Sequence, residues 1–453
     1  MADSPNFDPL NREVSSFPDA KPIDSTRMAV LFSVMLVTAS GNTAMQSILP
    51  TIGTQLDIPD FWVSAAFSWS ALLWVYTAPI WARQSDHRGR KALMRLGMIG
   101  FTTSFALAGL ALFLGLLGWY SALWTFILFA FFRSLYGGLG SAAPPAVQAY
   151  VASRTARADR TKALSLISSS FGLGTIVGPA IAPLLIIPFL GLSSPMFAFA
   201  AIGILVMVAL AWKLPNDNPG YAARGVVTSE PYSSAPSSNS LKDRDDDSEE
   251  DNSLPPRLRW GDERVKPWLI TGILGGNAHA LILGVVGFLV LDRLDLRADP
   301  EMGIQMTGIV LMSGAAATLL AQWGLIPLLQ MGPRASILWG MVLGACGCLL
   351  IGFSHDLHGI IIGFAIASLG FGLFRPGFTA GASLAVRRSE QNGVAGIVAS
   401  VNGMAFIVSP AFGVLLYTYA GPLPFWLATG ICVFLFGWGY KTLKLDDQNV
   451  TDS

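Results

Sequence analysis

The chain alternates between long apolar runs and short polar breaks, with two longer polar stretches, one at its start and one near its middle. A hydrocarbon core about 30 Å thick needs about 20 mostly apolar residues of helix. Twelve runs meet that length, at 28–50, 62–82, 93–115, 120–150, 163–187, 195–213, 267–291, 303–329, 335–354, 358–385, 392–418 and 422–440. None shows the two-residue alternation of a barrel strand, so the expected class is all-α integral membrane. Several runs are longer than one crossing needs. Gly41, Pro50, Pro79, Pro144, Pro145, Pro376 and Pro410 lie inside them. Such residues end or kink helices in water, but in a bilayer neighbouring helices re-satisfy the freed backbone groups.

The polar stretches divide the chain into a tail 1–27, a six-helix unit 28–213, a linker 214–266, a second six-helix unit 267–440 and a tail 441–453. The start has no basic, then apolar, then small-residue order, so no cleavable signal is expected. The linker centres on SSAPSSNSLKDRDDDSEEDNS (Ser233 to Ser253), with too little apolar surface to fold alone. It reads as a solvated tether, or as a regulatory segment modified on its serines.

Composition agrees. Hydrophobic residues make up 52% and charged residues 13%, against roughly 25% charged in soluble domains. Lys plus Arg equals Asp plus Glu, 29 each, so no polyanion such as nucleic acid is an expected partner. Cys346, Cys348 and Cys432 sit in apolar runs and make neither a disulfide framework nor a zinc site. There is no GxxxxGK[ST], HExxH, GxSxG or EF-hand loop, which argues against ATP-driven pumping, hydrolysis, a metal or a cofactor.

Placing both termini in the cytoplasm puts all but four of the 29 Lys and Arg on that side. The exceptions are Arg293 and Arg297 outside, and Arg133 and Arg375 within helices. Shifting the register by one helix inverts this agreement with the positive-inside rule. The expected place is therefore the cell membrane, plasma or inner, with cytoplasmic termini.

The halves are also similar to each other. Offset by 231, Ser169–Leu185 overlies Ser400–Leu416, pairing Gly172 with Gly403, Ile176 with Ile407, Pro179 with Pro410 and Ala180 with Ala411. Offset by 243, Gly89, Ala92, Gly97 and Met98 overlie Gly332, Ala335, Gly340 and Met341. Two parallel six-helix repeats form a rocking architecture with its solute site at their interface near the bilayer midplane.

Three motifs add a family resemblance. Ala82 to Lys91 (ARQSDHRGRK), between helices 2 and 3, resembles the G-x-x-S-D-R-x-G-R-R/K signature of the major facilitator superfamily. Arg133-Ser134-Leu135-Tyr136-Gly137 with Gly140 is similar to its helix-4 motif R-x-x-Q-G-x-G. Gly174-Thr175-Ile176-Val177-Gly178-Pro179 is similar to the helix-5 G-x-x-x-G-P of twelve-helix drug/proton antiporters of the tetracycline-efflux type. Ala82 and His87 depart from the first pattern, Tyr136 and Leu139 from the second.

The resemblance implies that Asp86, Arg88, Gly89, Arg90 and Lys91 form a cytoplasmic gate, Asp86 meeting the start of helix 11 near Gln391 to Val394. A carboxylate there can face arginine or a helix N-terminus, although the basic residues also serve topology. Gly174, Gly178 and Pro179 are either an antiporter motif or simply small residues that let helices approach. Helices 1, 4, 7 and 10 line the cavity of the superfamily, which singles out Asn42, Gln46, Arg133, Tyr136, Asn277, His279 and Arg375 as a substrate or proton cavity. For Asn42, Gln46 and Asn277 an interhelical hydrogen bond is the alternative; for His279, core packing. Trp62 and Trp81 suit the interfaces; Trp69 and Trp74 suit a stacking wall or lipid.

No Asp or Glu lies deep in a run, so two intramembrane arginines favour anionic or zwitterionic solutes. The leading functional expectation is proton-linked efflux of drugs or amphipathic metabolites by a monomer. The alternatives are uptake or exchange of an organic anion, and a non-transporting scaffold.

Overall fold

The computed structural model describes residues 23–154, 157–215, 261–386 and 391–443, and leaves a few helical side chains, including that of Asp86, outside the described set. The expectations for both tails and for the linker fall mostly outside these residues. Among the described residues the chain forms α1 Ser25–Gln55, α2 Asp60–Arg88, α3 Arg90–Leu116, α4 Ala122–Gly138 continuing as Ala143–Arg154, α5 Arg157–Ile181 and α6 Ser194–Lys213. The second half holds α7 Lys266–Arg293, α8 Pro300–Leu319 continuing to Leu328, α9 Pro333–Phe353, α10 Leu357–Leu384, α11 Gln391–Tyr419 and α12 Leu423–Thr442. Eleven of these are long and apolar enough to cross a membrane; in α5 the apolar stretch is the shorter Leu166–Ile181. The fold is an all-α, twelve-helix arrangement of two six-helix bundles.

Acids outside the apolar runs cap helices. Asp24, Asp299 and Asp356 each accept a hydrogen bond from a backbone N–H of the first turn of α1, α8 and α10, satisfying donors that a helix start leaves orphaned. Proline opens α6, α7, α8, α9 and α12, where a missing N–H costs nothing. The edges differ from expectation in two places. Helix α2 runs past 82 to Arg88, because the polar stretch after the apolar run contains no helix breaker before Gly89. Helix α5 ends at Ile181, and Pro183 opens a separate 3-10 turn through Leu185.

Two of the overlong runs are broken rather than straight. In α4 a 3-10 turn at Gly140–Ala142 precedes Ala143, Pro144 and Pro145, whose prolines cannot donate to the preceding turn. Helix α2 repairs the break. Thr77 Oγ1 donates to the Gly137 carbonyl at 3.2 Å and Trp81 Nε1 to the Gly138 carbonyl at 2.6 Å. In α8 a π turn spans Leu320–Leu325, just before Pro327.

The repeat in sequence is a repeat in packing. In one bundle α1 packs on α5, and α3 on α4 and α6; in the other α7 packs on α11, and α9 on α10 and α12. At the α1–α5 contact a Cβ on Gly174 would stand 2.6 Å from the Leu36 carbonyl oxygen, and one on Gly178 would collide with the Ser40 carbonyl and Thr43 Oγ1. Between bundles α2 runs against α11, and α5 against α8. Because bilayer lipid removes most hydrophobic drive between helices, such close approach is the main source of cohesion. Gly178→Ala is therefore expected to cost about 1–3 kcal/mol of stability through overpacking, read as a lower melting temperature in detergent; an unchanged melting temperature would contradict the packing role.

Candidate functional site

A cavity lies between the bundles, bounded by α1, α5, α7, α8 and α10. Thr43 and Gln46 reach it from α1, Thr175 and Pro179 from α5, and His279 and Leu283 from α7. The spacing of Phe364, Ser368, Phe371 and Arg375 puts all four on one face of α10. Gln322 enters from the π turn of α8, a distortion frequent at functional sites. The His279 ring stacks on Phe371, with centroids 4.8 Å apart and planes at 19°. Thr318 Oγ1 donates to the Gly314 carbonyl at 3.0 Å and to the Ser368 carbonyl at 3.2 Å, tying α8 to α10. Arg375 is the charged side chain of this lining, and no carboxylate is among the described lining residues. A fixed cation between low-dielectric walls raises the local concentration of anions and repels cations.

Of the residues singled out in the sequence, Gln46, His279 and Arg375 come together here. Asn42, Arg133 and Tyr136 do not line this cavity; they are buried inside the first bundle. Arg133 donates to Asn42 Oδ1, its guanidinium lies 4.3 Å from the centre of the Tyr136 ring, and Trp74 packs against the same ring at 5.2 Å. Expecting Arg133 at the cavity followed from its place on helix 4 of the superfamily pattern, but the rotation of α4 turns it toward Asn42 of α1. Asn277 links helices: Ser409 Oγ donates to its Oδ1 at 2.5 Å, while its Nδ2 donates to the Ile273 carbonyl at 2.6 Å. Ser409 is the repeat equivalent of Gly178, so at this position the α7–α11 contact places a hydroxyl where α1–α5 has a glycine; α1–α5 is hydrogen-bonded elsewhere, from Thr43 Oγ1 to the Gly174 carbonyl at 3.3 Å. Trp69 donates to Ser134 Oγ at 2.8 Å.

Thr175, Thr318, Gln322 and Ser368 line the cavity without having been singled out. The available signal was the four-residue spacing of Thr318 and Gln322, the same spacing that marks Asn42 and Gln46.

In the loop motif Gly89 separates α2 from α3 with φ at +85°, a backbone region that favours glycine. Arg88 is exposed, whereas Arg90 and Lys91 are buried. Lys91 Nζ donates to the Ala211 carbonyl at 3.0 Å and to the Leu214 carbonyl, so it caps the C-terminus of α6, where a cation is favoured. The Asp86 side chain lies outside the described residues.

At the opposite end of the molecule the bundles are joined by ions. From the segment between α7 and α8, Arg297 grips the Asp60 carboxylate of α2 through two hydrogen bonds of 2.6 and 3.2 Å, and reaches Thr54 Oγ1 of α1 at 3.1 Å. Its Nε donates to Asp292, whose other oxygen accepts from Tyr417 OH at 2.8 Å. The hydrogen bonds it donates to Asp60, and then to Asp292, hold the guanidinium protonated well above its ordinary range. Nearby, Gly308 lies where a Cβ would stand 2.7 Å from the Pro179 carbonyl, so α5 and α8 also close at this end. Arg297 is 36% exposed, and an ion pair that wet contributes about 0.2–1 kcal/mol. Arg297→Ala is therefore expected to raise thiol labelling of a cysteine placed at Gln46, from that end of the protein, by roughly two- to fivefold; unchanged labelling would deny the pair a closing role.

The profile of the Major Facilitator Superfamily matches residues 31–331 and 300–449. The chain belongs to that superfamily. This superfamily member is a multi-pass membrane protein, eleven of whose described helices are long and apolar enough to cross a bilayer. It is 22% identical over 418 residues to the class B tetracycline resistance protein of Escherichia coli, covering 89% of this chain and 90% of that one. It is 30% identical over 154 residues to multidrug resistance protein 2 of Bacillus subtilis (strain 168), covering 34% of each. The chain spans between about a third and a half of the length of several other curated relatives as well. Among solved structures it matches the human organic anion transporter MFSD10 (TETRAN) with TM-score 0.59 at 18% identity, covering 92% of this chain and all of that one, a likeness of fold.

Proposed function

We propose that this transporter is a proton-linked exporter of small amphipathic organic anions and zwitterions. The cavity between the bundles carries the reading: its charged lining residue is Arg375, flanked by Gln322 and Gln46 as polar partners and by the His279–Phe371 stack as an apolar wall. A planar guanidinium binds a carboxylate, sulfonate or phosphate in two-point geometry, and the ring pair suits an aromatic or alicyclic body. Export is supported by the helix-5 sequence Gly174, Gly178 and Pro179 and by the near full-length likeness to a protein whose name states tetracycline resistance. In this reading Asp86, Arg88, Gly89 and Arg90 close the cytoplasmic side, with Lys91 holding α6 in place. Arg297 with Asp60 closes the other side. The protein sits in the cell membrane with both termini inside and acts as a monomer, and His279 is the cavity's proton-carrying group.

A second reading, anion exchange or uptake without protons, is favoured by one observation: no carboxylate lines the cavity among the described residues. An efflux-deficient bacterial host expressing the protein separates them. Lower accumulation of anionic or zwitterionic compounds, restored on collapsing the proton gradient, is the result expected for proton-linked export. Lower accumulation of cations alone would overturn the anion reading, and indifference to the proton gradient would favour exchange.

A further inference from the structure

A second, smaller cavity adjoins the first, between α1, α2, α7, α8 and α11. Gln46, Leu283 and Leu311 line both, so these side chains form the partition between them. The chemistry of the two differs sharply. The first holds Arg375, His279, Gln322 and a row of hydroxyls; the second is walled by Pro50, Phe67, Phe288, Phe406 and Pro410. Its polar side chain besides the shared Gln46 is Ser64, which is buried and whose Oγ has no hydrogen-bond partner. A buried hydroxyl in that position is costly unless something reaches it.

The helices fix the distance between the two ends. On α10 Arg375 lies one turn from Phe371, and Phe371 stacks on His279 of α7. From His279 the wall continues along α7 through Leu283 to Gly287, which lines the second cavity. At 1.5 Å per residue these steps are about 6 and 12 Å, so the backbone of Arg375 and the far wall at Gly287 are about 18 Å apart along the bundle axis.

We propose that the two cavities are the halves of one bipartite site, in which Arg375 takes an anionic head group and the phenylalanine-walled pocket takes an apolar tail or ring system passing between Leu283 and Leu311. The inference rests on reading the first cavity as the solute site and deepens it to a substrate class: single-headed organic anions up to about 18 Å long. The apolar pocket supplies affinity in proportion to the tail it buries, whereas the head group supplies selection by charge. Ser64 meets a polar atom at the end of the tail, or is left unsatisfied by a purely alkyl one. Leu283 and Leu311 then set how thick a tail can pass.

The test uses the full-length protein in nanodiscs and n-alkanesulfonates of four to twelve carbons, whose charge is permanent, with binding measured by calorimetry against empty nanodiscs. In the wild type the dissociation constant is expected to fall about two- to fourfold per added methylene as the tail enters the pocket, then to level off once the pocket is full. Ser64→Leu fills the far end and is expected to move that break to shorter chains; Phe406→Ala enlarges the pocket and moves it to longer ones. Opposite shifts are not expected from a fold defect, which would weaken all chain lengths together. Tight binding of the four-carbon compound with no dependence on chain length would overturn the bipartite site and leave the anion site standing. A break that stays at the same length in both variants would also overturn it. No binding at any length above that of empty nanodiscs would overturn the anion site itself, and the inference with it.

Discussion

Arg375→Gln is expected to raise the KM for a carboxylate or sulfonate solute by about 10- to 150-fold, the equivalent of one charge-assisted hydrogen bond of about 1.5–3 kcal/mol. The prediction rests on position: Arg375 shares its α10 face with Phe364, Ser368 and Phe371 and lines the inter-bundle cavity, where no described carboxylate competes for an anion. Glutamine keeps a donor and most of the reach but loses the charge, so a neutral analogue of the same shape should change by less than about threefold, the size of an ordinary neutral contact. Arg375→Lys keeps the charge without the fork and should fall between the two. Initial rates in proteoliposomes across a charged and a neutral solute measure this directly, and equal losses for both would show that Arg375 serves the fold of α10 instead.

Asp86→Asn is expected to bring transport to background while leaving membrane abundance within about twofold, since the exchange removes a charge with almost no change of side-chain volume. Three features surrounding it motivate the expectation. Helix α2 continues unbroken to Arg88, Gly89 turns with φ +85° into α3, and Lys91 caps α6 from the next residue but one. The turn therefore couples α2, α3 and α6 rigidly, and α2 is also the helix that runs against α11 of the other bundle. A charge on that turn is well placed to hold or release the opposite bundle. Normal flux in the Asn variant, with normal abundance, would remove Asp86 from the gate.

Most of the architecture was legible because membrane helices announce themselves by length and apolarity, and because the bilayer forbids the alternatives. The repeat offset of 231 anticipated a physical equivalence, since Gly178 and Ser409 both mediate the contact of a fifth helix with a first. Two of the overlong runs hid breaks whose causes were visible as Pro144, Pro145 and Pro327, while the groups repairing the α4 break, Thr77 and Trp81 of α2, were not.

The site was legible only in part. The family resemblance pointed to helices 1, 4, 7 and 10, and Gln46, His279 and Arg375 of three of them line the cavity. The rotation of a helix about its axis is set by packing, so Arg133 and Tyr136 were expected at the cavity and lie in the interior of the first bundle. Thr318 and Ser368 escaped notice because hydroxyls in membrane helices commonly bond back to their own helix, and Thr318 does so as well as facing the cavity. Gln322 was obscured by the π turn, which shifts the register of the face it occupies. The closure by Arg297, Asp60 and Asp292 was out of reach for another reason: Asp60 lies 237 residues from Arg297 in the chain and meets it only when the bundles meet.

The central claim is that an organic anion crosses the membrane through the cavity at Arg375 in exchange for protons. Its most direct test is the flux of a labelled aryl sulfonate in proteoliposomes holding the purified full-length protein, measured with and without an imposed pH gradient, for the wild type and Arg375→Gln. The account predicts accumulation that follows the gradient in the wild type and collapses in the variant. Flux that ignores the pH gradient, or that survives the loss of Arg375 unchanged, would contradict it.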